Sequence, residues 1–131
     1  MIKKFVALIF LIILLSGCYE GYLSKDGGDL AQYLEPSKLK ELTDAPDENI
    51  WIIDVRPTAV YEKSHIPTAK SFPSSEVLKR LNELPKDKSL IVYCETGGRA
   101  QAVIKMLEKE GYTKMMNWGG NTRWPYEFEK Q

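Results

Sequence analysis

One cysteine followed by a glycine-rich turn gives this chain its clearest potential for covalent chemistry. Cys94 directly follows the apolar run 90–93, and a helical pattern begins at Ala100. The loop between them consists of Cys94, Glu95, Thr96, Gly97, Gly98 and Arg99. Glycines allow positive φ angles, so successive backbone amides can point inward, and the start of the next helix adds further amides. We expect this loop to stabilise a thiolate at Cys94 and to bind an anionic group beside Arg99.

The spacing within the loop separates several chemistries. A buried cysteine that packs as a small apolar residue is one alternative, but the glycines and Arg99 favour a reactive thiolate. Cysteine-dependent phosphatases and arsenate reductases are a second alternative. The phosphatases place one residue more between cysteine and arginine than the four found here. A redox protein of the thioredoxin type is a third, and it needs a resolving cysteine. The tight spacing favours a small group such as the outer sulfur of a persulfide.

The segments around the loop alternate between strand and helix patterns. The continuous apolar runs 50–53 and 90–93 are typical of strands buried on both faces, and 114–118 is a weaker third strand. Apolar residues at helical spacing predict a helix after the loop, which Gly111 ends. These apolar residues are Ala100, Val103, Ile104 and Leu107. The alternation predicts an α/β fold with a mainly parallel sheet flanked by helices.

Three further helices are predicted on weaker patterns. One begins at Pro36 and places two leucines on one face. A second begins at the N-cap candidates Ser74 and Ser75 and runs through Leu81. The third closes the chain over 121–128, although it contains a proline.

The composition excludes several function classes. The 131 residues carry 18 basic and 18 acidic side chains, so the formal net charge is zero and indicates no nucleic-acid binder. Two cysteines and one histidine leave a zinc site short of ligands, so we expect no metal. An apolar share of 44% is ordinary for a globular protein and excludes a disordered chain.

The first 18 residues are typical of an export signal. Two lysines precede the apolar run 5–15, which is too short to span a bilayer. The sequence Leu-Ser-Gly-Cys at 15–18 resembles the bacterial lipobox, in which the cysteine is diacylated and becomes the mature N-terminus. A plain secretory signal that ends near a cysteine is the alternative. We expect Cys18 to be the lipidated residue.

This interpretation divides the chain into three parts. Residues 1–17 form the signal peptide, 18–33 a lipid anchor and flexible tether, and 34–131 the folded domain. The protein is then exported and held on a bacterial membrane by acyl chains such as palmitate. It lies in the periplasm, or on the outer face of a cell with one membrane. We expect it to be a monomer.

The motifs together are similar to those of a single-domain rhodanese, a thiosulfate-type sulfurtransferase of the exported, phage-shock type. The family's loop of cysteine, glycine and arginine is matched at Cys94, Gly97 and Arg99. Three more of its segments follow the family's order: Ile-Asp-Val-Arg at 53–56, His-Ile-Pro at 65–67, and Gly119-Gly120 with Trp124. The resemblance covers about residues 34 to 128. Four weak motifs in the right order make a strong signal.

The resemblance implies both a fold and a reaction. The fold is a central, mainly parallel sheet of five strands flanked by helices. The reaction moves a sulfane sulfur from thiosulfate or a persulfide to cyanide or a thiol, through a persulfide on Cys94, with no cofactor. The partners are therefore a small sulfur donor and a thiophilic acceptor. A non-catalytic rhodanese-fold binding module, or a sulfur carrier on the membrane surface, is the alternative.

Several residues outside the loop have supporting roles in this interpretation. We expect Asp54 and Arg56 to pair with each other or with the loop, and His65 to be structural. Trp118 and Trp124 are expected in the core or the pocket wall. Two features depart from the family. Ser64 and Thr68 stand where glycines are frequent, and Glu95 places a carboxylate in the loop, which should weaken binding of the thiosulfate dianion.

Overall fold

The computed structural model describes residues 19–131. The predicted signal peptide 1–17 and the predicted lipid attachment at Cys18 lie outside the described residues. Within 19–131, no helix combines the length and the apolar character that a bilayer crossing requires.

A parallel sheet organises the domain. Its strands are β1 (Ile50–Asp54), β2 (Lys70–Ser71), β3 (Ser89–Cys94) and β4 (Met115–Gly120), in the order β2-β1-β3-β4. Every neighbouring pair is parallel. The predicted α/β class and parallel sheet are confirmed, but the prediction of five strands is wrong: the described part of the chain forms four. The outer edge of β4 pairs instead with residues 21–24, which form only an isolated antiparallel bridge between Leu23 and Met116.

Three α-helices flank the sheet: α1 (Pro36–Asp44), α2 (Thr58–Lys63) and α3 (Gly98–Lys109). The helix predicted after the Cys94 loop is therefore confirmed as α3, and all four residues of its predicted apolar stripe are buried. Gly111 follows the end of α3 with a φ of 91°, as expected for a residue just beyond a helix C-terminus.

Two predicted helices are not α-helices. The segment after Ser74 and Ser75 forms the short 3-10 turns Val77–Lys79 and Leu81–Glu83. Of these turns only Val77 is buried, so no continuous apolar face stabilises a longer helix. The segment 121–128 forms only the turn Asn121–Arg123, since the proline at 125 has no N–H to donate to a helix.

The two faces of the sheet carry separate apolar cores. One core lies between the sheet and α3 and includes Val92, Cys94, Val103 and Leu107. The other lies on the face of α1, where Leu39 and Leu42 contact it. Alternate residues of β3 point into opposite cores, so this strand is buried on both faces along residues 90–94.

The segment predicted as a flexible tether is ordered where the structure describes it, over 19–33. The Gly21 N–H donates to the Asn117 carbonyl at 2.7 Å, and the Asn117 N–H donates to the Tyr22 carbonyl at 2.9 Å. The Ser24 N–H donates to the Met115 carbonyl at 2.9 Å. These bonds attach the segment antiparallel to the outer edge of β4, so the prediction of a free tether is wrong.

The following residues continue this attachment. Gly28–Leu34 forms a 3-10 helix, and its Leu30 is only 2% exposed in the core beneath α1. The Trp118 indole donates to the Tyr33 carbonyl at 2.7 Å. The polar, glycine-containing stretch before this helix therefore packs because its backbone pairs with β4 and because Leu30 is buried.

Candidate active site

Cys94 stands at the carboxyl end of a central strand. It is the last residue of β3, and α3 begins at Gly98 after a three-residue connection. The ends of β1 and β4 flank it, since Asp54 pairs with Tyr93 and Gly120 pairs with Cys94. In parallel sheets this edge is where ligands bind, because the loops that follow the strands converge there.

A backbone amide is directed at the cysteine sulfur. The Gly97 N–H donates to the Cys94 Sγ, with an N to S distance of 3.0 Å. Gly97 has a φ of 97°, which turns this amide towards the sulfur. The thiol is 1% exposed, so the amide acts on it within the fold rather than in bulk water. An amide in this position can donate a hydrogen bond to negative charge that develops on the sulfur.

The rim of the loop is polar and accessible. Glu95, Thr96 and Arg99 are exposed, whereas Gly97 is buried. No ion pair joins Glu95 to Arg99 within the described chain. The charges of both side chains are therefore available at the rim. Whether the rim binds an anion, and whether Glu95 weakens thiosulfate binding, stay predictions.

Gly119 and Gly120, at the end of β4, allow the Cys94 loop to pack closely against this strand. A Cβ on Gly120 would lie 2.1 Å from the Glu95 carbonyl oxygen. A Cβ on Gly97 would lie 3.2 Å from the Cα of Gly119. The end of β4 and the Cys94 loop thus touch backbone to backbone, and side chains at these glycines would push them apart.

Asp54, Arg56 and Tyr93 form a buried hydrogen-bonded cluster at the carboxyl end of β1. Arg56 Nη2 donates to Asp54 Oδ2 at 2.7 Å, and the Tyr93 hydroxyl donates to the same oxygen at 2.7 Å. Arg56 also donates to the Ser64 carbonyl at 2.7 Å, and Tyr93 accepts from the Ile66 N–H at 3.0 Å. Asp54 and Arg56 therefore pair with each other and with the turn at 64–66.

The electrostatics of this cluster keep its charge state fixed. Burial raises the pKa of Tyr93, and the Asp54 carboxylate raises it further, so the phenol stays protonated. Burial opposes the charge of Arg56, but the hydrogen bonds and the charge of Asp54 outweigh it and raise the pKa of the guanidinium overall. The cluster is a satisfied structural unit rather than an acid or base poised to react.

Comparison with known proteins identifies this arrangement. The family model of the rhodanese-like domain matches residues 35–125. This range includes the Cys94 loop and the three other segments that resemble the family. The chain belongs to the rhodanese-like family. A rhodanese-like domain protein from Staphylococcus aureus has the same fold, with a TM-score of 0.63 at 27% identity over 73% of this chain and 94% of that one.

Several curated relatives have names that refer to sulfur transfer. A sulfurtransferase of Allochromatium vinosum is 31% identical over 81 residues, which cover 61% of this chain and 76% of that protein. YrkF of Bacillus subtilis, named as a candidate sulfur carrier protein, is 36% identical over 83 residues. That match covers 58% of this chain and 45% of YrkF, so the chain spans less than half the length of that relative.

One residue that positions the rhodanese loop was missed in the sequence. Asn117 is fully buried in β4, and its Nδ2 donates to the Gly97 carbonyl at 2.9 Å and to Gln101 Oε1 at 3.1 Å. Its Oδ1 accepts from the Gly119 N–H at 2.9 Å. The side chain thus fixes the residue whose amide faces the sulfur. An asparagine in an otherwise apolar strand was the available signal.

Asn117 also stabilises an irregularity in the strand. The register of β3 and β4 pairs Val92 with Asn117 and Tyr93 with Gly119, so Trp118 is an extra residue in β4. The Asn117 side chain satisfies the Gly119 amide at this bulge. The bulge is what brings Gly119 against the loop.

In the turn before β2, a threonine adopts a backbone conformation that usually favours glycine. Thr68, where rhodaneses often have glycine, has a φ of 68° and is exposed. His65 is buried, its Nδ1 lies 2.8 Å from the Tyr61 carbonyl oxygen, and its Nε2 lies 3.5 Å from a Glu129 carboxylate oxygen. These contacts attach the C-terminal segment to the turn.

The two late tryptophans lie in the core, as predicted. Trp118 is fully buried and Trp124 is 4% exposed, and their rings meet edge to face with centroids 6.4 Å apart. They support the end of β4 from the side of α1.

Proposed function

We propose that this rhodanese domain is a sulfurtransferase that carries a sulfane sulfur on Cys94. The Cys94 thiolate attacks the outer sulfur of thiosulfate or of a donor persulfide. With thiosulfate, an S–S bond forms at Cys94, the donor's S–S bond breaks, and sulfite leaves with the electron pair. An acceptor thiolate or cyanide then attacks the outer sulfur, and the Cys94 thiolate leaves. No metal or organic cofactor takes part in either step.

The observation that carries this proposal is the Gly97 amide, 3.0 Å from the Cys94 sulfur at the start of a helix. The amide stabilises the thiolate before attack and again when the acceptor releases it. The exposed Arg99 provides a positive charge for an anionic donor at the rim. The names of the relatives agree with this chemistry but do not specify the donor or the acceptor.

Intact mass measurement tests the proposal directly. Soluble protein that begins after Cys18 should gain one sulfur atom from thiosulfate and lose it to cyanide. Cys94→Ser is nearly isosteric but cannot hold a persulfide, so it should gain no sulfur and show no transfer while unfolding at a similar temperature. Sulfur uptake by a folded Cys94→Ser protein would overturn the assignment.

A carrier role is the second candidate, and the name of YrkF favours it. A carrier would form the Cys94 persulfide at the same rate but would pass sulfur to small acceptors slowly. Steady-state turnover with cyanide separates the two: rapid discharge indicates an enzyme, and a persistent persulfide indicates a carrier.

We further propose that the chain is a lipoprotein of the exported, phage-shock type, anchored at Cys18 and monomeric. The two lysines, the apolar run 5–15 and the Leu-Ser-Gly-Cys sequence support the anchor. Cys18→Ala should abolish incorporation of labelled palmitate and move the protein out of the detergent phase. Unchanged labelling in that variant would contradict the proposal.

A further inference from the structure

The N-terminal segment is attached to the same end of the sheet that carries the catalytic loop. A Cβ on Gly119 would lie 3.0 Å from the Glu20 Cβ, and Glu20 Oε2 pairs with Arg123 Nε at 3.1 Å. The next residue, Gly21, is bonded to Asn117 at 2.7 Å. The segment is therefore fixed to the end of β4 from Glu20 onwards.

Only one layer of backbone separates Glu20 from the loop. Gly119 lies between them: it contacts Glu20 on one side, and the Cβ position of Gly97 lies 3.2 Å from its Cα on the other. The Gly97 N–H in turn donates to the Cys94 Sγ. The first residues that the structure describes and the Cys94 sulfur thus lie at one corner of the domain.

Covalent geometry limits how far an anchor at Cys18 can lie from this corner. Two peptide units join residue 18 to residue 20, and each spans at most about 3.8 Å, so the two Cα atoms are within about 8 Å. The lipid proposed for Cys18 would therefore enter the bilayer beside the catalytic loop. The inference rests on that proposed lipid attachment.

The surface at this corner suits a lipid headgroup region. Tyr19 is 48% exposed, and tyrosine is favoured at membrane interfaces because its ring is apolar and its hydroxyl is polar. Arg99 belongs to the Cys94 loop, is exposed, and can contact lipid phosphate. The opposite end of the sheet, where β3 begins at Ser89 three residues after Lys86, is a strand length away from this surface.

We propose that the carboxyl end of the sheet faces the anchoring bilayer and that the acceptor is a thiol carried on that bilayer. The acceptor thiol loses its proton to water, and its thiolate attacks the outer sulfur of the Cys94 persulfide. One S–S bond forms on the acceptor, the Cys94 S–S bond breaks, and the Cys94 thiolate leaves. No oxidant or reductant is consumed, because the sulfane sulfur keeps its oxidation state.

The test compares two acceptors on vesicles that carry the acylated full chain. One acceptor is a phospholipid with a thiol headgroup, and the other is soluble glutathione. A flexible Gly/Ser insert of 20 residues between Tyr19 and Glu20 extends the reach of the anchor by roughly 25 Å. This insert should slow transfer to the thiol lipid at least threefold and leave transfer to glutathione unchanged.

The same insert placed next to Lys86, at the far end of the sheet, is the matched control and should change neither rate. Mass measurement of acylation at Cys18 and of the Cys94 persulfide is made first. Missing acylation or missing persulfide would contradict the proposed function itself. With both present, equal rates in the two insertion variants would overturn only the membrane-facing orientation.

A spectroscopic measurement tests the orientation without catalysis. In the acylated Cys94→Ser protein, a nitroxide is attached to cysteine introduced by Thr96→Cys or by Lys86→Cys. A nickel chelate on the lipid headgroups should relax the label at 96 strongly and the label at 86 weakly. Equal relaxation at the two positions would refute the proposed orientation.

Discussion

Gly97 and Thr68 both adopt positive φ values, 97° and 68°, but in different surroundings. Gly97 is buried against Gly119, and its amide faces the Cys94 sulfur. Thr68 is exposed, in a turn whose start is held by Arg56 and Tyr93. A left-handed conformation costs a side-chain-bearing residue about 1–2 kcal/mol wherever it occurs. In the loop a neighbouring backbone adds a steric barrier, whereas the exposed turn can accommodate threonine.

The largest expected effect is that of Gly97→Ala. The added Cβ would meet the Gly119 Cα at 3.2 Å and would also strain the positive φ. Both effects rotate the amide away from the sulfur, so single-turnover persulfide formation should slow by at least tenfold. Gly98→Ala is the matched comparison, because the nearest atom to its Cβ is the Thr96 Oγ1 at 3.9 Å. Similar losses in the two variants would show that the strain at Gly97 is not the cause.

Asn117→Leu tests the support behind the loop. Leucine keeps the approximate volume but leaves the Gly97 carbonyl without its side-chain donor and the Gly119 amide without its acceptor. The Gly97 carbonyl keeps the Gln101 N–H as a donor, so the unmet group is the Gly119 amide, at a cost of about 1–3 kcal/mol. Because the loop loses this support, persulfide formation should slow several-fold. The Gly97 amide proton should also exchange faster in hydrogen-exchange NMR.

Gln101→Leu removes the other partner of the Asn117 amide and is the control for Asn117→Leu. It should lower the unfolding temperature with little effect on the exchange of the Gly97 amide. If both variants change that exchange equally, the helix start rather than Asn117 positions the loop.

Tyr93→Phe tests the cluster that holds the turn. The substitution removes a donor to Asp54 and leaves the Ile66 N–H without its partner, which should cost about 1–3 kcal/mol of unfolding free energy. The raised pKa of Tyr93 also sets the direction in which the free energy of unfolding changes with pH. Tyrosine in the unfolded chain ionises near pH 10, whereas Tyr93 in the fold keeps its proton. The stabilisation is therefore complete below about pH 10 and falls as the pH rises above it.

Urea unfolding between pH 7 and pH 11 measures this contribution. The wild-type protein should lose stability above pH 10 more steeply than Tyr93→Phe. Parallel pH curves for the two proteins would show that the phenol is not protected in the fold.

Thr68→Gly should have the smallest effect and the opposite sign. Glycine relieves the strain at φ 68° but adds freedom to the unfolded chain, so the net gain is up to about 1 kcal/mol. Thermal unfolding measures it. Thr58→Gly, at the first residue of α2, should instead destabilise because glycine disfavours helix. A loss of stability in Thr68→Gly would show that the threonine side chain makes a compensating contact.

The predictable parts of the fold were those with local signals. The stripe of α3 and the apolar runs of β1 and β3 follow from periodicity within a few residues. The segment 19–33 was mispredicted because its order comes from pairing with β4, about 90 residues away in sequence. A short polar stretch carries no sign of such a partner.

The same limit applies to the candidate site. Cys94, Gly97 and Arg99 were visible because their spacing is a motif, and so was the pair of Asp54 with Arg56. Asn117 stood out only as a polar residue in an apolar strand, and its role could not be inferred from that, because it depends on a bulge that brings Gly119 against the loop. Side chains that act through tertiary contacts with a motif need the packed structure to be found.

The coverage of β4 by residues 21–26 also bears on how the molecule behaves at high concentration. An open strand edge offers unpaired amides and carbonyls to another molecule and so promotes aggregation. Here one outer edge is occupied by the chain's own backbone, and the other belongs to β2, which has only two residues. Lys70 lies over the Trp51 ring at 4.5 Å beside that short strand and adds a charge there. Across the described sheet, neither edge offers a long template for intermolecular strand pairing.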